Sequence, residues 1–204
     1  MQAASQQKGV KILQSILLAG VVLGVLTLPF VLASLQLSTL TQRHRQPLHD
    51  YGVAPAFTLT DQHNQAFSST KLLGKVWIAD FIFTRCATMC PIMTEKMKNL
   101  KTKLEAVSFI SFSVDPPYDK PEVLRRYTGR MSAERPGWRF LTGTRESLQQ
   151  AANGFKVTGA NEPLFHSLSF ILVDPRGHIR GYYHSDQPED LQKLETDARS
   201  LLRV

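Results

Sequence analysis

The chain has 204 residues, enough for one ordinary domain with a real core plus an appendage and too few for two full-sized domains. Its 24 basic and 17 acidic side chains give a formal charge of +7, but the basic residues between Lys71 and Arg145 are scattered, with no aromatic-rich stripe. That argues against a nucleic-acid binder and for a solvated basic surface. Two cysteines are too few for a disulfide scaffold, and a domain of this size needs no staple.

Residues 1–11 form a short tail. From Ile12 to Leu37 no charged residue occurs, a run longer than the roughly 20 apolar residues that cross a bilayer as a helix. A cleavable signal peptide has an apolar core of about 7 to 15 residues ending in small residues; here the only small-residue site is a weak one at Ala33-Ser34. The stretch 12–37 therefore reads as an uncleaved transmembrane anchor. Lys8 and Lys11 before it nearly match Arg43 and Arg45 after it, so charge hardly sets the orientation. The short tail favours an N-inside arrangement with the C-terminal domain on the periplasmic or extracytoplasmic side. Nothing resembles an Arg- and Ser-rich mitochondrial presequence, which points to single-pass insertion in a bacterial inner membrane. Residues 38–54 read as a polar tether and 55–204 as the folded domain.

Within that domain Ala56 to Thr60 alternates as a short strand, and Ala66 to Ser68 returns across the turn-rich Asp61 to Gln65 as a hairpin. The apolar run Val76 to Phe83 lacks alternation, as a central strand covered on both faces does. Beyond Pro91, residues Ile92, Met93, Met97, Leu100 and Leu104 recur at helical spacing among lysines, an amphipathic helix with Pro91 in its first turn. Val107 to Val114 is a strand, Pro121 to Thr128 a helix ended by Gly129, and Trp138 to Thr142 a short strand. Glu146 to Ala152 is helical up to Asn153-Gly154. Ser167 to Val173 and His178 to Tyr183 form a hairpin around Asp174-Pro175-Arg176-Gly177, and a last helix runs from Pro188 to Leu202. Strands alternating with helices predict an α/β fold: a thioredoxin-like three-layer sandwich with an N-terminal β-hairpin extension, preceded by one transmembrane helix.

Both cysteines fall in Phe83-Thr84-Arg85-Cys86-Ala87-Thr88-Met89-Cys90-Pro91, between the apolar strand and the helix. A strand-to-helix turn can place both sulfurs at a helix N-terminus, where N–H groups and the dipole favour the thiolate. Such a pair binds a soft metal or exchanges disulfides, and cysteines at i and i+4 come near enough to bond to each other. Arg85 and Lys96 would depress the thiol pKa values further, unless they are only surface charge. Of the six histidines, His44 and His49 lie in the tether, His63 in a turn, and His178 and His184 beside the terminal hairpin strand; all five read as solvated. His166 opens the strand 167–173, whose start in a thioredoxin-like domain faces the cysteine turn. Two thiolates and one imidazole suit Cu(I) in a trigonal site and can also hold Cu(II), whereas zinc normally claims a fourth donor. Asp115-Pro116-Pro117 reads as a turn that ends a strand, and Asp119 before Pro121 as a helix cap. The functional reading of the same segment is a carboxylate near the metal that assists the site or greets a partner.

The sequence resembles the Sco family, the membrane-anchored copper proteins of cytochrome c oxidase assembly. The residues that carry the likeness are Phe83-Thr84-Arg85-Cys86-Ala87-Thr88-Met89-Cys90-Pro91, which match F-T-x-C-x-x-x-C-P; Phe112-Ser113-Val114-Asp115-Pro116-Pro117-Tyr118-Asp119-Lys120-Pro121, which match the family's S-V-D-P-x-x-D-x-P; and His166-Ser167 before an apolar strand and a D-P-x-G turn. The resemblance implies that Cys86, Cys90 and His166 bind one copper ion. It also implies that the domain hands copper to, or reduces the cysteines of, the binuclear copper site on a cytochrome oxidase subunit, with another copper chaperone or a thiol reductant as a further partner. Family members commonly have Asp immediately before the histidine, and here Phe165 stands there. Support for the imidazole must then come from elsewhere.

The rival reading is an extracytoplasmic thiol-disulfide oxidoreductase or peroxidase of the same fold, in which Cys86 and Cys90 are redox-active. The three-residue spacer and His166 separate the two, since redox thioredoxins generally use a two-residue spacer. The sequence thus favours a metallochaperone, with thiol-disulfide reductase activity as its alternative. The bland reading is an anchored interaction domain with bystander cysteines.

Overall fold

The apolar run at 76–83 becomes the central strand of a sheet around which the domain is arranged. The structure, a computed structural model, describes residues 47–156 and 168–203, together with Thr27, Leu28, Phe30 and Leu32. The chain divides into two units, Met1–Pro47 and Leu48–Val204. In the first, Thr27, Leu28, Phe30 and Leu32 are helical; the rest of the 12–37 span lies outside the described residues. Among the described residues no helix is long and apolar enough to cross a membrane.

The second unit runs β1 (Thr58–Asp61), β2 (Ala66–Ser68), a 3₁₀ turn (Ser69–Leu72), β3 (Trp77–Ile82), α1 (Met89–Lys103), β4 (Ser108–Ser113), α2 (Pro121–Arg130), β5 (Trp138–Thr142), α3 (Arg145–Gly154), β6 (Ser169–Val173), β7 (Ile179–His184) and α4 (Pro188–Leu201). Among the described residues the strands form one seven-stranded sheet in the order β2-β1-β5-β4-β3-β6-β7. β3, β4 and β5 are parallel, joined by crossovers through α1 and α2 as parallel strands require. The β1–β2 hairpin extends one edge by antiparallel pairing with β5, and the β6–β7 hairpin the other by antiparallel pairing with β3.

All six residues of β3 are buried, which removes any alternation from its sequence. Successive side chains of a strand point to opposite faces, so β3 supplies two cores. Ile78 and Ile82 pack with Cys90, Met93 and Met97 of α1, Leu124 and Tyr127 of α2, and Leu194 and Ala198 of α4. Trp77, Ala79 and Phe81 pack on the other side with Phe57, Phe112, Leu148, Ala151 and Phe155. Helices on both faces of one sheet make the predicted three-layer thioredoxin-like sandwich, with the hairpin extension in place.

Four local expectations are corrected. α2 runs past Gly129 to Arg130, because the left-handed residue that ends it is Ser132 (φ 51°), which lets the Ala133 N–H reach the Thr128 carbonyl at 2.8 Å. Asp119 does not cap that helix: the capping position is Lys120, without a side-chain bond. Chain order also begins before Pro55. Val53 bridges His178, the Tyr51 N–H reaches the Ile179 carbonyl at 3.0 Å, and Asp50 holds His178 Nδ1 at 2.8 Å, so His178 is not simply solvated.

Candidate metal centre

β3 delivers the chain to Cys86 through a tight turn. The Cys86 N–H reaches back to the Phe83 carbonyl at 3.2 Å, so Thr84 and Arg85 are its two corner residues. Each corner is held by the loop that follows β4. Thr84, 9% exposed, donates its backbone N–H (3.1 Å) and its hydroxyl to the carboxylate of Asp119, which is fully buried. The Ser113 hydroxyl donates to the same carboxylate at 2.7 Å, and Ser113 Oγ in turn accepts the Asp115 N–H at 3.1 Å. Arg85 grips Asp115 through Nε (2.9 Å) and a terminal nitrogen (2.6 Å), with its guanidinium 4.5 Å from the centre of the Tyr118 ring.

Past the turn, α1 begins at Met89 without a side-chain cap from Thr88 and without an acidic residue in its first turn. The free N-terminal N–H groups of a helix attract an acceptor. Here the acceptor is sulfur: the Cys90 N–H points at Cys86 Sγ, 3.3 Å away. Pro91 fits the same turn, since its missing N–H would have had no partner there.

Both cysteines are free, but their surroundings differ. Burial pushes the half-exposed Cys86 thiol up, but the N–H groups of Cys90, Thr88 and Met89 outweigh it and bring the thiol below its ordinary value. Cys90 is 6% exposed and packs in the core. Burial drives its thiol up to about 12, reinforced by the negative charges of Cys86 and Asp80 and only partly countered by a backbone hydrogen bond from Phe83. Arg85 and Lys96 do not produce this asymmetry: Arg85 is paired with Asp115, and Lys96 donates to the Ser185 carbonyl at 2.7 Å.

Asp80 is a site feature the sequence reading passed over. It faces the same core as Ile78 and Ile82, has no exposed surface, and neither carboxylate oxygen makes a hydrogen bond of good geometry. Burial raises its pKa to about 7, with the Ser111 hydroxyl offsetting only part. The signal was available as a lone carboxylate in an apolar strand six residues before Cys86. Of the two readings of the Asp115–Pro121 segment, the helix cap by Asp119 is not formed; its carboxylate instead holds Thr84 of the cysteine turn.

His166 and Phe165 lie outside the described residues, as does His44. The described chain resumes at Leu168, and β6 then pairs antiparallel with β3, Ile171 opposite Ala79. That register brings the start of β6 to the end of the sheet where β3 leaves for Cys86. His49 stacks edge-on against Tyr51, and His63 lies 3.8 Å from Glu134. Among the described residues no group of three or more His, Cys, Asp or Glu stands ready to hold a metal ion. Within them the donor set is the cysteine pair alone, two soft sulfurs suited to a soft metal.

A thioredoxin-like domain with two unequal free cysteines at a helix N-terminus is a thiol-site protein, able to ligate a soft metal or exchange a disulfide. The chain belongs to the SCO1/SenC family, whose profile matches residues 45–202. It is 37% identical to a SCO1 protein homolog of Bacillus subtilis, over 78% of this chain and 86% of that one. Among solved structures it resembles a SCO1/SenC family lipoprotein of Bacillus anthracis (TM-score 0.67, 33% identity, 78% of this chain and 98% of that one). It equally resembles BsSco, a member of the Sco family of cytochrome c oxidase assembly proteins in which a disulfide switch has been identified (TM-score 0.65, 34% identity, 78% and 98%). Yeast Sco1 solved with copper bound is a more remote likeness (TM-score 0.62, 25% identity, 73% and 90%).

Proposed function

We propose that this chain is a membrane-anchored copper carrier of oxidase assembly, in which Cys86, Cys90 and His166 hold one copper ion as cargo. The observation that carries the reading is the cysteine pair. Cys86 is accessible and inclined to the thiolate by three backbone N–H groups, and Cys90 stands behind it at the start of α1. Two thiolates and an imidazole match a soft monovalent ion, and their loading releases the thiol protons. Support for the third ligand is the register of β6, which brings Leu168, two residues after His166, to the cysteine end of the sheet. Copper as the cargo is supported by the copper-bound relative, and an oxidase as its destination by the oxidase-assembly relative; the recipient in this reading is the binuclear copper site of an oxidase subunit. The apolar span 12–37 is the anchor: Leu28, Phe30 and Leu32 are helical and 59%, 83% and 52% exposed, a surface that lipid would cover.

The inequality of the two thiols also favours a second reading, reduction of a partner disulfide. Cys86 thiolate attacks one partner sulfur and expels the other as thiolate; Cys90, after losing its proton to solvent, attacks Cys86 sulfur and releases the second. The partner gains two electrons and Cys86–Cys90 becomes a disulfide. The two readings describe successive uses of one site, because copper needs both sulfurs reduced.

Anaerobic titration of the reduced protein with Cu(I) tests the first reading. It predicts one equivalent bound, intense thiolate-to-Cu(II) absorption on oxidation, and loss of both in Cys86→Ala and in Cys90→Ala. Uptake of no copper by the parent, alongside rapid turnover of a disulfide substrate, replaces it with the second.

A further inference from the structure

The loop after β4 carries a buried carboxylate to which neither proposed function of the cysteine pair gives a role. Asp119 is fully buried, yet it lies outside the core clusters and is surrounded by donors: the Thr84 N–H, the Thr84 hydroxyl and the Ser113 hydroxyl. Two of the three come from one corner of the turn that presents Cys86. The loop itself is rigid, since the Asp119 and Tyr118 N–H groups both return to the Asp115 carbonyl, at 2.8 and 3.0 Å. Its root is fixed to the sheet by the Val114 N–H on the Ile82 carbonyl at 2.9 Å. A carboxylate that receives three hydrogen bonds in a dry site is a stiff tie, because releasing any one donor leaves a buried polar group unpaired.

We infer that Asp119 is a positioning residue of the thiol site: through Thr84 it fixes the 83–86 turn so that Cys86 Sγ stays against the first N–H groups of α1. The inference rests on the thiol-site reading of Cys86 and Cys90. Cys86 lies outside α1, and Thr88, the residue at the capping position, makes no side-chain bond, so the sulfur keeps its place only as long as the turn does. The exposed Arg85–Asp115 pair holds the other corner, but an exposed ion pair adds little stiffness. The D-P-P-Y-D-K-P segment thus serves the site from a distance, its second aspartate acting through Thr84.

The test compares Asp119→Asn, Thr84→Val and Thr84→Ser in the full chain, with Leu148→Ala on the opposite face of the sheet as a stability control. An Asn amide turns a donor toward donors, Val removes one hydroxyl, and Ser keeps both Thr84 donors. Each is scored for unfolding by urea, for Cu(I) affinity, and for the pH profile of Cys86 alkylation by iodoacetamide in the metal-free protein. Asp119→Asn is expected to weaken copper binding about 10- to 100-fold, the usual effect of losing a residue that orients a ligand, and to move the alkylation profile to higher pH. Thr84→Val moves both in the same direction, Thr84→Ser restores them, and Leu148→Ala loses stability without moving either. The inference is overturned if Asp119→Asn folds with copper affinity and alkylation profile like the parent, or if Leu148→Ala shifts them as far. Should Asp119→Asn not fold, the Thr84→Val and Thr84→Ser pair decides by the same measures. A parent that takes up no copper while the alkylation profiles shift as expected overturns the copper reading and leaves the positioning role standing.

Discussion

The backbone N–H of Cys90 points at the sulfur of Cys86 from 3.3 Å, and this one contact makes two cysteines four residues apart chemically unequal. Cys86 behaves as the cap of α1, while Cys90, one turn on, is sealed in the core beneath it.

Alkylation should register that inequality. With Cys90 near pKa 12 and Cys86 below its ordinary value, the thiolate fractions at pH 7 differ by at least about 10³. The greater intrinsic nucleophilicity of the more basic thiolate recovers part of this, leaving Cys86 on the order of 100-fold faster. In the reduced, metal-free protein, iodoacetamide followed by peptide mapping should label Cys86 first, and Cys86→Ala should react slowly. Equal labelling of both cysteines would contradict the assignment.

Arg85→Ala should leave the Cys86 alkylation profile almost unmoved, since backbone N–H groups and not the guanidinium lower that thiol. Its cost in stability should stay under about 1 kcal/mol, as for exposed ion pairs. A rise of the Cys86 profile in this variant comparable with that of Asp119→Asn would restore the electrostatic role first read from the sequence.

Asp80 predicts a pH dependence. Its folded pKa, about 7, lies above the ordinary carboxylate value of 3.8, so between these pH values the folded protein binds more protons than the unfolded chain. The contribution of Asp80 is therefore most favourable below about pH 4, falls as pH rises to about 7, and is flat beyond. The full swing is on the order of 4 kcal/mol. Urea unfolding of the reduced, metal-free protein at pH 4.5 and pH 8 should show this slope in the parent and lose it in Asp80→Asn. An unchanged slope in the variant would mean that another group carries it.

Lys101 is a lysine of α1 that the helical pattern assigned to solvent. It is 7% exposed, and its Nζ donates to the carbonyls of Glu105 (2.7 Å) and Val107 (2.8 Å) while lying 5.4 Å from the centre of the Phe109 ring. Lys101→Met should cost about 1–3 kcal/mol through the carbonyls left unpaired. Lys103→Met, which removes only an exposed pair with Glu195, should cost less than about 1 kcal/mol. Chemical denaturation of both variants separates the two.

The elements most legible in the sequence were those whose pattern is set by a single packing relation. β3 is buried on both faces and reads as one apolar run; α1 has one buried face and reads at helical spacing. Lys101 shows the limit of that reading, because a long side chain can lie over apolar surface and return its charge to carbonyls the pattern does not reveal. The cysteine pair was visible as a motif, but its asymmetry was not, because the direction of the Cys90 N–H and the depth of Cys90 arise only when α1 docks on β3. Asp119 looked like a helix cap since local sequence offers it that role; its real partner, Thr84, is 35 residues away and meets it only because β3 and β4 are adjacent. The 3₁₀ turn at Ser69–Leu72 was missed although Ser68, whose Oγ accepts the Thr70 N–H at 3.2 Å, is an ordinary turn signal.

The proposed binding of one soft metal by Cys86, Cys90 and His166 is tested most directly by X-ray absorption at the copper edge of the Cu(I)-loaded protein. Two sulfur scatterers and one imidazole nitrogen per copper are expected, with the imidazole contribution absent from His166→Ala and the two sulfurs retained. An unchanged spectrum in His166→Ala, or a parent site with a single sulfur, would contradict it.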